Sequence, residues 1–164
     1  MIYKKTKHLV SNIIKNIFVK PLMHMDFINS RYYSVHGDKK RLILEADVRP
    51  VNTLFNTSSG NIYVEPGVVF GHNCMVLTGR HTMGSRIIGE VREFQKEGND
   101  IRIGEGSYVG SGSIIIGGVR IGKYCVIGAG AVVTKDVPDF CFAVGVPAVI
   151  KKKSNNVMGM KKPL

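Results

Sequence analysis

No stretch of this 164-residue chain approaches the roughly 18 uninterrupted apolar residues that a membrane-spanning helix needs. No transmembrane helix is therefore expected. The basic N-terminus also lacks the continuous apolar core of a secretory signal, because Ser11, Asn12, Lys15 and Asn16 break it. Cysteine is scarce. Cys74, Cys125 and Cys141 are an odd number without metal-ligand spacing, which points to free thiols in a reducing compartment and to no bound metal. Acidic residues are few, 12 against 23 Lys and Arg, so the formal net charge is +11. Such a chain attracts anions, whether nucleic acid, an anionic membrane surface or a phosphorylated small molecule. Aromatic interleaving and a known binding module are both missing, which argues against nucleic acid.

Glycine is abundant instead, at 19 residues, and with 44% apolar residues the chain is no disordered polar segment. The glycines belong to a period of six. From Val64 the sixes read VEPGVV, FGHNCM and VLTGRH; from Ile103 they read IGEGSY, VGSGSI, IIGGVR, IGKYCV, IGAGAV and VTKDVP. The first position (Val64, Phe70, Val76, Ile103, Val109, Ile115, Ile121, Ile127, Val133) is apolar in nine of nine, and the fifth is small or β-branched in eight of nine, Arg80 being the exception. A helix would repeat near 3.6 and a lone strand at 2. A sustained six fits short strands joined by tight turns, each strand sending one large and one small side chain into a narrow interior. Three sixes make one triangular coil, and stacked coils share a continuous core.

The run IGEGSYVGSGSIIIGGVRIGKYCVIGAGAVVTKDVP, followed by VGVPA, resembles the hexapeptide-repeat acyltransferases, and among them the sugar and polysaccharide O-acetyltransferases. The resemblance covers roughly residues 54–151. It implies an all-β fold, a left-handed parallel β-helix, and acetyl-CoA as co-substrate. It also implies a homotrimer with active sites in grooves between subunits, and a glycan acceptor such as a bacterial cell-surface polysaccharide or its precursor. Two alternatives stand beside this reading: N-acetyl transfer to an amino sugar, and a non-catalytic β-helix acting as scaffold.

Around that repeat the chain divides in three. Residues 1–40 are a basic leader in which Leu9, Val10, Ile13, Ile14, Ile17 and Phe18 recur at helical spacing until Pro21. This amphipathic helix either packs on the protein's own domain or a neighbouring subunit, or lies on a membrane surface, giving a cytoplasmic protein with a peripheral membrane contact in the last case. Residues 41–150 are the β-helix domain, with Leu44–Leu54 out of phase as an irregular first coil. Residues 82–102 interrupt the sixes as a projecting loop, a usual place for a binding feature. Residues 151–164 form a basic tail.

Acetyl transfer to a hydroxyl needs a base, a stabilised oxyanion and two substrates held together. His81 is the candidate base. It stands where the third six gives way to the loop, its ordinary pKa lets it accept a proton near neutrality, and VLTGRH resembles the catalytic-histidine segment of the family, although Thr82 replaces the usual Asp or Pro. His72 reads as a solvated turn residue; His8, His24 and His36 lie in the leader without a partner motif. Cys74 occupies an inward repeat position, so it reads as packing. Asn56, in LFNTSSGNIYV, resembles the acceptor-pocket asparagine of the family, against the alternative of a turn-stabilising Asn. For coenzyme A the resemblance implies Ser111 and Ala129 along the pantetheine arm, with an N–H near Ser111 as oxyanion donor. Thr134 and Lys135 would lie at the adenosine-phosphate end, and Lys151 or Lys152 would stand in for the basic residue that relatives carry after GVP, where this chain has Val149. Tyr108 stands where relatives often have Trp.

Overall fold

The computed structural model describes residues 32–79 and 97–153. They form a β-solenoid of three parallel sheets. Sheet I is built from β1 (Tyr33–His36), β4 (Thr53–Asn56), β7 (Met75–Leu77), β10 (Ile114–Ile116) and β13 (Val132–Val133). Sheet II stacks β2 (Leu42–Leu44), β5 (Ile62–Val64), β8 (Ile101–Ile103) and β11 (Arg120–Ile121). Sheet III stacks β3 (Arg49–Val51), β6 (Val69–His72), β9 (Tyr108–Val109), β12 (Val126–Ile127), β14 (Cys141–Val144) and β15 (Val149–Lys153). The chain visits the sheets in rotation, so each circuit is one coil and sheet I counts five of them. Every pairing is parallel except β15, which turns back antiparallel along β14.

The period of six is the geometry of this coil. All nine first-position residues are buried, from Val64 and Phe70 through Ile115 and Ile121 to Val133. Partners in the register stack on one another, as Phe55, Val76, Ile115 and Val133 do down the inside of sheet I. Fifth positions fill the narrower corners with Val68, Cys74, Ser107, Ser113, Cys125 and Ala131. Buried serines there are satisfied locally: Ser107 Oγ donates to Gly122 O at 2.8 Å and accepts from Cys125 N at 2.9 Å. Glycine answers two different demands. A Cβ on Gly110 would come within 2.6 Å of Ala129 N in the next coil, so that corner closes only over a hydrogen. Gly112 has open space around it but sits at φ +69°, where a side chain is strained.

Three expected boundaries move. The first coil begins inside the segment assigned to the leader, because Tyr33–His36 pair in register with Thr53–Asn56. Its spacing to the second coil is longer than three sixes, which hid it. The irregularity expected over Leu44–Leu54 is present as a register shift between Arg49 and Val51. The interruption ends earlier than residue 102: Asn99 N already donates to Ser59 O, and Ile101–Ile103 are strand. Ile101, fully buried, takes the inward place that the sixes had given to Arg80. The tail likewise starts later than residue 151, since Val149–Lys153 are β15. The amphipathic helix, His81 and most of the projecting loop lie outside the described residues. Among those described, no helix is long and apolar enough to cross a membrane.

Because the inward column has one side chain per coil, removing one leaves a gap that its neighbours cannot fill without breaking register. Ile115→Ala is expected to cost about 2–5 kcal/mol, read from chemical denaturation with an unchanged m-value.

Candidate active site

Two edges of sheet I collect the residues singled out above. The edge between sheets III and I is a column of exposed turns, small-sided in its later coils. His72, Ser111 and Ala129 occupy equivalent turns in successive coils, and all three are exposed. The column is tied rung to rung: His72 N donates to Ser111 Oγ at 3.0 Å, Gly112 N to His72 O at 2.8 Å and Gly130 N to Ser111 O at 2.9 Å. A Cβ on Gly71 would lie 2.5 Å from Ser111 Oγ. Ser111, Gly112, Ala129 and Gly130 therefore form a strip of exposed turns with little side-chain bulk, next to the exposed His72. A thin, flexible arm rich in amides can lie against such a strip, which fits the pantetheine portion of coenzyme A.

The opposite edge, between sheets I and II, is where residues 80–96 leave and return. It is clasped by polar side chains. Thr78 donates to Asn56 O from its N–H at 2.9 Å and from its hydroxyl at 2.8 Å, while Ser59 N donates to Thr78 Oγ1 at 3.1 Å. Asn56 Oδ1 accepts from Ser58 N at 2.8 Å, the turn-stabilising bond that was one reading of this residue. Its amide nitrogen faces Gly79, where a Cβ would stand 3.1 Å away. Asn56 is thus built into the foot of the segment that carries His81. Asn99, at the return point, is buried with its Nδ2 unpaired. Thr134 and Lys135 are exposed on this same edge in the last coil.

Between the two edges runs the outer face of sheet I. Leu54, Met75, Ile114 and Val132 follow one another in register, with Leu77 and Ile116 beside them. The strands are three residues wide, so the edges stand roughly 10 Å apart at about 3.3 Å per residue. Ser111 and Ala129 are brought together; Thr134 and Lys135 are brought together; an apolar floor separates the pairs. Lys151 is elsewhere. It is the extra residue of a bulge in β15, exposed on the sheet III side of the last coil, beyond the turn that holds the cis Val146–Pro147 bond.

Other features were not foreseen. His36 is exposed in β1 and pairs in register with Asn56, which places an imidazole on the same edge as the loop foot. The sequence signal for it is missing because the first coil is out of phase. Cys74 is buried, and burial pushes its thiol pKa up, as it does for Cys125, so neither is a ready nucleophile. No group of three metal-ligating side chains occurs among the described residues. At the edge between sheets II and III, Tyr124 and Phe140 stack at 5.4 Å, both with positive φ (52° and 59°). Tyr124 Oη donates to Glu105 Oε1 at 3.0 Å, and Lys123 pairs with Glu105 Oε2 at 3.0 Å. A bulky side chain in the left-handed region is uncommon, and this triad holds it there.

Residues 100–135 match the family model "Bacterial transferase hexapeptide (six repeats)". A galactoside O-acetyltransferase of Lactococcus lactis subsp. lactis (strain IL1403) is 32% identical over 150 residues, 92% of this chain and 66% of that protein. The chain therefore spans just under two thirds of that relative's length. The fold is shared with a galactoside acetyltransferase solved in complex with coenzyme A (21% identity, TM-score 0.55, 74% of this chain and 64% of that one). It is shared also with a Bacillus cereus N-acyltransferase solved with dTDP-4-amino-4,6-dideoxyglucose and coenzyme A (17% identity, TM-score 0.56, 74% and 77%).

The Glu105 triad makes a stability prediction. The hydrogen bond from Lys123, then that from Tyr124, lowers the Glu105 pKa, while Glu105 raises those of Lys123 and Tyr124. A lowered carboxylate pKa stabilises the fold above the ordinary carboxylate value, and that gain is lost as pH falls through the folded value. The raised Lys123 pKa acts the other way, its gain being lost as pH rises through its folded value. Glu105→Gln should lower the thermal midpoint at neutral pH, and the gap to wild type should close in strong acid. Thermal melts across pH check this.

Proposed function

From a chain that belongs to the hexapeptide-repeat acetyltransferase superfamily, we propose an O-acetyltransferase that moves the acetyl group of acetyl-CoA to a sugar hydroxyl of a glycan. The observation that carries this reading is the strip of exposed small-residue turns at Ser111–Gly112 and Ala129–Gly130. It faces, across an apolar floor, the edge from which the His81 segment departs. The pantetheine arm lies along that strip, where amides can bond its carbonyls, and Thr134 and Lys135 meet the phosphate end. Lys135 supplies the charge; Lys151, on another flank of the last coil, serves the nucleotide from the far side of the groove. Asn56 holds the acceptor at the loop foot.

His81 acts as general base. Its neutral imidazole takes the proton of the attacking hydroxyl as the oxygen bonds to the thioester carbon. The resulting oxyanion is stabilised by a backbone N–H near Ser111. Collapse re-forms the carbonyl and breaks the carbon–sulfur bond, and the departing CoA thiolate takes up the proton held by His81. The acceptor leaves as its acetyl ester.

The working unit is a homotrimer. Two of the three outer faces are apolar: sheet I as described, and sheet III, where Val69, Tyr108, Val126 and Phe142 follow in register, with Val69 54% and Phe142 37% exposed. Packing sheet I of one subunit near sheet III of the next covers both and sinks the small-residue edge between them into a groove. The enzyme works in the cytoplasm, where three free thiols persist and acetyl-CoA is made.

His81→Ala is expected to cut turnover by about 10²- to 10⁴-fold with little change in CoA affinity, because the base acts on the acceptor. The wild-type rate should rise with pH through the imidazole pKa and then level. Turnover and calorimetry on a folded variant decide it; near-wild-type activity would sink the assignment. Lys135→Glu should do the reverse, weakening CoA at least tenfold with the fold intact. Light scattering should give three chains per particle, and a mass-spectrometric screen over sugars and amino sugars separates O- from N-transfer.

A further inference from the structure

The third outer face, that of sheet II, is neither apolar nor neutral. Down its outward column the register runs Ile43, Tyr63, Arg102, Arg120. Arg102 and Arg120 are direct cross-strand partners, one rung apart at the usual spacing of about 4.8 Å, and both are exposed. Like charges placed opposite each other in a sheet oppose folding. Here the repulsion is relieved only in part. Arg102 lays its guanidinium 4.0 Å over the Tyr63 ring. The nearby carboxylates face other groups: Asp136 Oδ1 accepts from Arg120 N at 2.8 Å, and Asp100 accepts from Asn61 N at 2.8 Å and from the Asn61 side-chain amide. Among the described residues neither guanidinium has a carboxylate partner; the ion pair that does form joins Lys123 to Glu105.

The position of this ladder matters as much as its charge. Sheet II meets sheet I at the edge that holds Asn56, the departure of residues 80–96, and Lys135. A chain-like acceptor whose reacting sugar sits at that edge has two directions in which to continue. One is the groove across sheet I, given to coenzyme A; the other is around the corner onto sheet II. The same face is the one that the proposed trimer leaves outward. A ligand laid there meets two forked, permanently charged donors suited to carboxylate or phosphate oxygens.

We propose that the acceptor is an acidic glycan, carrying carboxylate or phosphate groups along its chain, and that Arg102 and Arg120 bind those groups beside the transfer site. This rests on the acetyl-transfer reading and names its substrate class. The anion offsets the repulsion between the two arginines, so binding and the local strain of the ladder are coupled. A membrane surface is the less favoured occupant, because Ile43, 39% exposed, is the one large aliphatic side chain of the column and lies two rungs from Arg102.

The test titrates the full-length protein by calorimetry at low salt with four probes: an oligogalacturonate, a linear polyphosphate, a neutral maltooligosaccharide of similar length, and phosphatidylglycerol vesicles. At least one of the two soluble anionic probes is expected to bind tenfold or more tighter than the neutral one, with affinity falling as salt rises; which of the two does so identifies the anion. Arg102→Gln with Arg120→Gln should abolish that preference. It should leave CoA affinity unchanged and the fold intact, the relief of the like-charge pair offsetting the loss of the Arg102 contact with Tyr63. With an acidic acceptor in turnover, KM should rise tenfold or more and kcat hold. Equal binding of neutral and acidic probes, or an anionic preference that survives the double variant, would overturn the proposal. So would binding confined to phosphatidylglycerol vesicles. If the anionic preference is found and lost as expected while no acetyl transfer occurs to any acceptor, the transfer chemistry has failed and the anion-binding face stands.

Discussion

Everything in this molecule depends on the narrowness of its interior. A triangular coil with three-residue sides has room for only two inward side chains per side, in most places one large and one small, with Ile101 and Ile103 of β8 both large. Each must sit on its counterpart in the coil below. Phe55, Val76, Ile115 and Val133 form such a column, and Val68, Ser107 and Cys125 another at a corner. The core is continuous along the axis but one residue thick across it. That is why first positions carry β-branched, aliphatic or aromatic residues, and why fifth positions are mostly no larger than valine, with serine, cysteine and alanine among them.

With the interior so fully committed, chemistry is left to the outside, and the outside is organised by the same register. Residues equivalent in successive coils become vertical columns, so a pattern spread through the sequence is gathered onto one edge or one face. Ser111 and Ala129 meet His72 this way. Asn56 meets His36 and the foot of the His81 segment, and Arg102 meets Arg120. The three faces differ in character because each samples a different phase of the repeat, apolar on two sides and cationic on the third.

How much of this could be read in advance follows from that logic. The sixes placed all nine first positions correctly, since a period of six states directly which side chains face in. They could not carry register across an interruption. Arg80 is in phase by counting, yet Ile101, on the far side of the excursion, is the residue that enters the core. The opening strand of the first coil was missed for the same reason, because its spacing to the second coil exceeds three sixes, and His36 was left in the leader. The reading of Asn56 had two branches, and its Oδ1 bond to Ser58 N meets the turn-forming one while its position beside Gly79 keeps it at the loop foot. His81 lies beyond what the described residues reach. Charge was legible only as a total; that two arginines share a rung is a fact of register.

One consequence lies in the strand that runs against the rest. A stack of parallel coils is a polymer in miniature: its last rung offers an unpaired ladder of amides and carbonyls on which another copy could continue the stack. Here the terminal rung of sheet III is spent on β15, which lies against β14 in the opposite sense, and Ala148 N donates to Val132 O at 2.8 Å at the end of sheet I. The bulge at Lys151 further spoils the repeat for any incoming strand. The described residues of the last coil thus end in a strand whose direction and bulge break with the ladder below, a poor template for a further parallel coil.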